Sequence, residues 1–258
     1  MSIGALVTIQ ELIDQQHLGH WFPSLVQAAE GISSPQIRAL GTVGGELCQR
    51  PRCWYYRAGF GLVAHGPDGE PMVPRGDNRY HAIFGGGPAY FVSPSSLAPA
   101  LLALGTQITL VGPKGERTVA AGEFFVAPKN GDQRENVLAP NEILTMITIP
   151  SSGMANATYE VRHKEALDWP LATASVALKL TDDDQVASVQ IVLGHVAPVP
   201  WRATAAEEAL KGKKLSEATA TAAGKAAAEG AKPLKDNAYK VRLVHTAVKR
   251  ALLSLANA

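Results

Sequence analysis

Only two cysteines, Cys48 and Cys53, occur in the 258 residues, too few for a disulfide framework and in keeping with a reducing compartment. Charge of either sign is also missing in excess: 24 Lys+Arg against 23 Asp+Glu leave a formal +1. A balance so close to zero offers no footprint for a phosphate backbone or an anionic lipid, so nucleic acid and membrane surfaces are not expected partners. No apolar run approaches the ~20 residues that span a bilayer, and Met1 leads directly into a mixed segment with Gln10, Glu11 and Asp14. The expected location is cytoplasmic, or periplasmic if the chain is exported with a partner subunit.

Catalytic signatures are equally sparse. None of the seven histidines falls in an H-E-x-x-H pattern, and there is no G-x-S-x-G elbow. Gly59-Phe60-Gly61 starts a dinucleotide-type glycine motif, but it sits in a glycine-rich loop that no helical pattern follows. Cys48, Cys53, His65 and His81 lack the spacing of any zinc finger or ribbon, so no metal site is expected.

What is present reads as an α+β chain of two domains. Helical spacing runs from Ile9 to Leu18, then from Ser24 to Glu30 before Gly31, with a short helix after Ser34-Pro35. Glycines and prolines punctuate Pro51 to Pro74 too often for regular structure, and a loop that long in a compact domain carries a site or disorder. A short strand is expected at Tyr90-Phe91-Val92, a helix over Ser96 to Leu104, a hairpin from Gln107 to Val119 turning at Pro113-Lys114-Gly115, and a strand over Glu142 to Ile149. Pro150-Ser151-Ser152-Gly153 is the best boundary, giving domains 1–153 and 154–258. Beyond it, strand patterns at 157–162, 172–180 and 186–196 precede Ala-rich helices at 203–210, 216–229 and 239–256. Strands first and helices afterwards imply a three-stranded sheet covered on one face by helices.

The stretch SPQIRALGTVGGELCQRPRCWYYR, residues 34 to 57, holds the most distinctive motif. Gly44 and Gly45 lack a Cβ and permit close approach of the backbone to a bulky partner, the alternative being an ordinary turn between a helix and an extended loop. Together with GDNRYHAIFGGGPAY (76–90), SPSSLAPALLALG (93–105), NEILTMITIP (141–150), LGHVAPVPWRA and AEEALKG (193–212) and DNAYKVRL (236–243), it resembles the FAD-binding medium subunit of the molybdenum hydroxylases. That is the xanthine dehydrogenase and carbon monoxide dehydrogenase superfamily, and the likeness is greatest to the medium subunit of periplasmic-type aldehyde oxidoreductases.

The resemblance implies an FAD-binding domain of the molybdopterin dehydrogenase type followed by the family's C-terminal domain. It implies electron transfer from iron-sulfur centres to an acceptor during oxidation of an aldehyde or N-heterocycle, with a molybdopterin-binding large subunit and a [2Fe–2S] small subunit as partners. The chain would not be catalytic alone, since the flavin carries the chemistry. Thr42, Gly44 and Gly45 match the T-x-G-G loop that packs against the flavin, and Ile32 and Leu144 match positions that line its pocket.

Several departures accompany the match. The family's N-terminal lobe, whose glycine-rich loop holds the FAD pyrophosphate, has no counterpart here, so weak or absent FAD binding is expected of this chain alone. Glu46 replaces the family's Asn, Ser96 its Asp, and Val161 its Lys, and an acid at 46 is electrostatically unfavourable beside an anionic cofactor. Related subunits hold a [4Fe–4S] cluster on four cysteines; Cys53 matches one, whereas Gly61, the Pro71-Met72 region and Ala89 replace the others, so no cluster is expected. The alternative reading is a flavin-free scaffold subunit, or a piece of a longer or split flavoprotein.

Overall fold

The computed structural model describes residues 1–32, 34–151, 153–164 and 167–256. The chain opens with a short strand, β1 (Ser2–Gly4), and four small helices, α1 (Ile9–Asp14), α2 (Gln16–Trp21), α3 (Pro23–Glu30) and α4 (Pro35–Leu40). Polar side chains set these helix starts: Thr8 and Glu11 form a reciprocal capping box on α1, and the Ser34 hydroxyl accepts the Ile37 amide on α4. Helix α5 (Val43–Leu47) carries the double glycine, and after it the chain runs through a π-helical turn (Tyr56–Phe60) and α6 (Met72–Arg75).

Helix α7 (Leu97–Ala103) precedes the hairpin β2 (Gln107–Gly112) and β3 (Gly115–Ala120), the short α8 (Ala121–Phe124) and strand β4 (Ile143–Thr148). These strands form an antiparallel sheet in the order β1-β4-β2-β3, with Ile3 opposite Ile147 and Ile147 opposite Ile108. Its apolar face packs on α1, α3 and α7 in a core that includes Leu12, Leu25, Leu97, Leu101 and Ile108. The hairpin turn falls where the Pro113-Lys114-Gly115 signal puts it.

The second sheet runs β5 (Ala155–Val161), β6 (Ala172–Leu180), β7 (Val186–Gly194) and β8 (Trp201–Arg202), each antiparallel to the next. It has four strands rather than the expected three. Pro198 and Pro200 return the chain along β7 instead of leading straight into a helix, and Trp201 pairs with Leu193. Helices α9 (Thr204–Leu210), α10 (Glu217–Ala227) and α11 (Tyr239–Ala256) cover one face, with Val244, Ala247, Val248 and Ala251 buried against it.

Strand β6 is buried over seven consecutive residues because α7 lies across the other face, so the first-half core also takes in Ala177 and Val192. Of the proposed boundary at 150–153, Ser152 lies outside the described residues. The strand expected at Tyr90 to Val92 does not form. Pro88 and Pro94 flank it without N–H donors, and its neighbours bond singly: the Tyr90 carbonyl accepts from Ala82 and the Ser93 amide donates to Ala197.

Candidate functional site: a cleft at the double-glycine turn

Thr42 caps helix α5, its hydroxyl accepting the Gly45 amide at 3.1 Å. The remaining amides of the turn are also committed: Val43 donates to Val7 O, Gly44 to Ala5 O, and Glu46 to Thr42 O, all within 2.9 Å. The turn therefore has no spare backbone donor from Val43 to Glu46, and what it offers a ligand is a bare, side-chain-free surface.

The two glycines do different work. A Cβ on Gly44 would lie 2.8 Å from the Ala5 Cβ and 3.0 Å from its carbonyl, so Gly44 is required by the packing of α5 on the β1–α1 connection. Gly45 faces outward into a cleft of about 230 Å³, where an added Cβ would meet only the Thr42 hydroxyl at 3.0 Å. Ile9, Ile32, Ile37 and Thr42 line this cleft, with Arg52 and Trp169 along its other side.

Of the five residues singled out from the sequence, the structure thus brings Ile32, Thr42 and Gly45 together. Gly44 backs the turn. Leu144 lies beneath it in the core, opposite Leu110 on β2, and its neighbour Thr145 accepts the Ala5 amide that holds the turn's support in place.

Arg52 and Trp169 were not legible as partners. The guanidinium stands 3.5 Å from the centre of the Trp169 ring and donates to Gln49 Oε1 at 2.6 Å. Separated by more than a hundred residues, they meet only because the loop after α5 folds against the β5–β6 connection. No local pattern could have paired them.

Glu46 corrects the electrostatic expectation. Its carboxylate turns away from the turn and inserts at the start of α7, where Oε1 accepts the Ser96 amide at 2.6 Å, the Leu97 amide at 3.2 Å and the Ser95 hydroxyl at 3.2 Å. Burial lifts its pKa to about 7, against the opposing pull of those donors and of Arg52. The two departures noted above, Glu at 46 and Ser at 96, therefore belong together, because a carboxylate supplied from 46 caps the helix that a residue at 96 would otherwise cap.

The long loop closes on a small apolar cluster of Leu62, Val63, Ala89 and Phe91, with Cys53 and Tyr56 against it. Ala89 thus packs in the same group as Cys53. Among the described residues no group of three or more His, Cys, Asp or Glu side chains could hold a metal ion.

Residues 1–152 match the family model described as the FAD binding domain in molybdopterin dehydrogenase, and residues 157–255 match the CO dehydrogenase flavoprotein C-terminal domain. The chain belongs to this flavoprotein family. It is 28% identical over 259 residues to the aldehyde oxidoreductase FAD-binding subunit PaoB of Escherichia coli K12, covering 99% of this chain and 77% of that subunit. The carbon monoxide dehydrogenase medium chain of Hydrogenophaga pseudoflava is also 28% identical, over 97% of this chain and 72% of its own length. The solved carbon monoxide dehydrogenase of Hydrogenophaga pseudoflava superimposes with a TM-score of 0.69, covering 98% of this chain and 74% of that one.

The cleft can be judged against the group this family takes. Its apolar walls and bare glycine surface suit a planar aromatic ring, and the consumed amides of residues 43 to 46 leave the turn nothing with which to grip a pyrophosphate. Among the described residues no helix is long and apolar enough to cross a membrane.

Proposed function

We propose that this chain is the flavin subunit of a molybdenum-containing hydroxylase, passing electrons from iron-sulfur centres to an acceptor during oxidation of an aldehyde or N-heterocycle. The observation that carries the reading is the cleft at Gly45, formed by the very turn that the family model covers. Bound there, FAD would supply the two-electron and one-electron chemistry that links the partners. The protein's part is positional. Ile32, Thr42 and Gly45 bound the ring, while Gly44 and Leu144 fix the turn from behind.

In this reading residues 1–153 form the FAD-binding domain and 154–258 the C-terminal domain, with α7 bridging them. A molybdopterin-binding large subunit and a [2Fe–2S] small subunit complete the complex, as the relatives' designation as medium chains supports. The chain by itself binds FAD weakly, because the turn contributes ring contacts and no phosphate donors.

The test is co-expression with a molybdopterin-binding and a [2Fe–2S] subunit, followed by flavin extraction. Near-stoichiometric FAD, lost in Gly45→Val, supports the assignment. An assembled complex without flavin refutes it.

A further inference from the structure

The cleft at Gly45 is apolar along Ile9, Ile32 and Ile37, and Arg52 is the one cation among the described residues that line it. Its guanidinium is held from two sides. The Trp169 ring lies 3.5 Å away, and Gln49 Oε1 accepts from Nη2 at 2.6 Å while the Gln49 amide group donates to Glu46 O at 3.1 Å. A guanidinium anchored on an aromatic face has little rotamer freedom left to lose when its other N–H groups meet an acceptor. Apart from the Gln49 contact, Arg52 makes no side-chain hydrogen bond among the described residues, and the residue is exposed.

The carboxylates nearest this charge are committed elsewhere. Glu46, which lines the same cleft, gives Oε1 to the Ser95, Ser96 and Leu97 donors at the start of α7. Asp168, which lines an adjoining cavity with Arg52, accepts the amides of Lys164 and Trp169 at 3.2 and 2.9 Å. Among the described residues Arg52 forms no ion pair. Since the amides of residues 43 to 46 are consumed, its guanidinium is what the cleft has for meeting negative charge.

We infer that Arg52 is the specificity-determining residue of this cleft, selecting a flavin that carries negative charge over a neutral one. The inference rests on the flavin reading of the cleft. A flavin presents such charge in two places. FMN and FAD carry it on side-chain phosphate, and the ring carries it after taking up two electrons and one proton, which leaves the reduced ring an anion. Either anion accepts charge-assisted hydrogen bonds from a guanidinium, which are roughly twice as strong as those between neutral groups.

The experiment measures flavin affinities of the purified chain and of its deflavinated complex by anaerobic calorimetry at pH 8. Two pairs separate the sources: oxidised FMN against oxidised riboflavin differs in phosphate, and dithionite-reduced against oxidised riboflavin differs in ring charge. The wild type is expected to favour the charged member of at least one pair by about tenfold. Arg52→Met abolishes that preference and leaves oxidised riboflavin unchanged, Arg52→Lys keeps it, and added salt diminishes it. Arg52→Gln is the second variant should Arg52→Met fail to fold. Equal affinities within both pairs, or a preference that survives removal of the charge, overturn the proposal. So does an equal loss of every flavin that Arg52→Lys does not restore, since the side chain would then act by packing. No flavin bound by chain or complex removes the flavin reading and this inference with it, whereas flavin bound without regard to charge overturns this inference alone.

Discussion

The carboxylate of Glu46 sits 2.6 Å from the backbone nitrogen of Ser96, joining the double-glycine turn to the start of α7 across 50 residues of sequence. Removing it strands three donors in a buried place. Glu46→Ala is expected to cost roughly 2–4 kcal/mol in urea unfolding, more than an exposed cap. The pair Glu46→Asn with Ser96→Asp is expected to be more stable than the sum of the single changes. Strict additivity in a double-mutant cycle would contradict the idea that the two positions share one cap.

Two buried groups tilt stability with pH in separate windows. Glu46 has its pKa raised from 4.5 to about 7, so the folded state holds the proton more firmly, and the stability this gives is lost as pH rises from 4.5 through 7. Lys240 is lowered by burial from 10.5 to about 7, so its contribution is full above 10.5 and is lost as pH falls through 7. His81 and His195, lowered to about 4 and about 3 mainly by burial, titrate against Glu46 on the acid side. Differences between variants therefore carry the test. Relative to wild type, Glu46→Gln gains stability as pH rises from 4.5 to 7, and Lys240→Met loses its advantage as pH rises from 7 to 10.5. A flat difference in chemical unfolding at either window would contradict the corresponding assignment.

Gly44 and Gly45 should respond differently to the same methyl group. Gly44→Ala drives a Cβ against Ala5 and is expected to destabilise by about 1–3 kcal/mol, measured as a fall in the unfolding midpoint. Gly45→Ala meets only the Thr42 hydroxyl and has the smaller effect on unfolding but the larger effect on flavin content. Equal effects on both readouts would remove the distinction between a packing glycine and a cleft glycine.

Neither thiol should behave as a nucleophile. Burial raises Cys48 to about 11 and also raises Cys53, and the His81 ring beside Cys53 is itself held neutral. Since the thiolate is the reactive form, iodoacetamide at pH 8 is expected to label both slowly in the folded protein and quickly in denaturant. Rapid labelling of folded Cys53 would show that the Cys53–His81 contact is a charged pair.

Much of the architecture could be read from local pattern. Ser34-Pro35 announces a helix start, and the alternation of residues 107–111 and the apolar run at 142–149 mark strands that do pair. Strand β8 was missed because two residues carry no alternation to detect, and prolines at 198 and 200 suggested only a stiff connection. The site was harder. Gly45 and Ile32 followed from resemblance, but the Arg52–Trp169 wall and the orientation of Glu46 depend on contacts between distant segments. Lys240 did leave a trace: it lies on the same stripe of α11 as Val244, Val248 and Ala251, a charge where spacing calls for an apolar side chain.

The turn that spends all its amides on Val7, Ala5 and Thr42 has a consequence for selectivity. A surface that recognises only the shape of a tricyclic ring is blind to whatever is attached at the far end of its side chain. The turn should therefore contribute alike to riboflavin, FMN and FAD, and any preference for the dinucleotide must come from groups outside it, such as the Arg52 guanidinium along the same cleft.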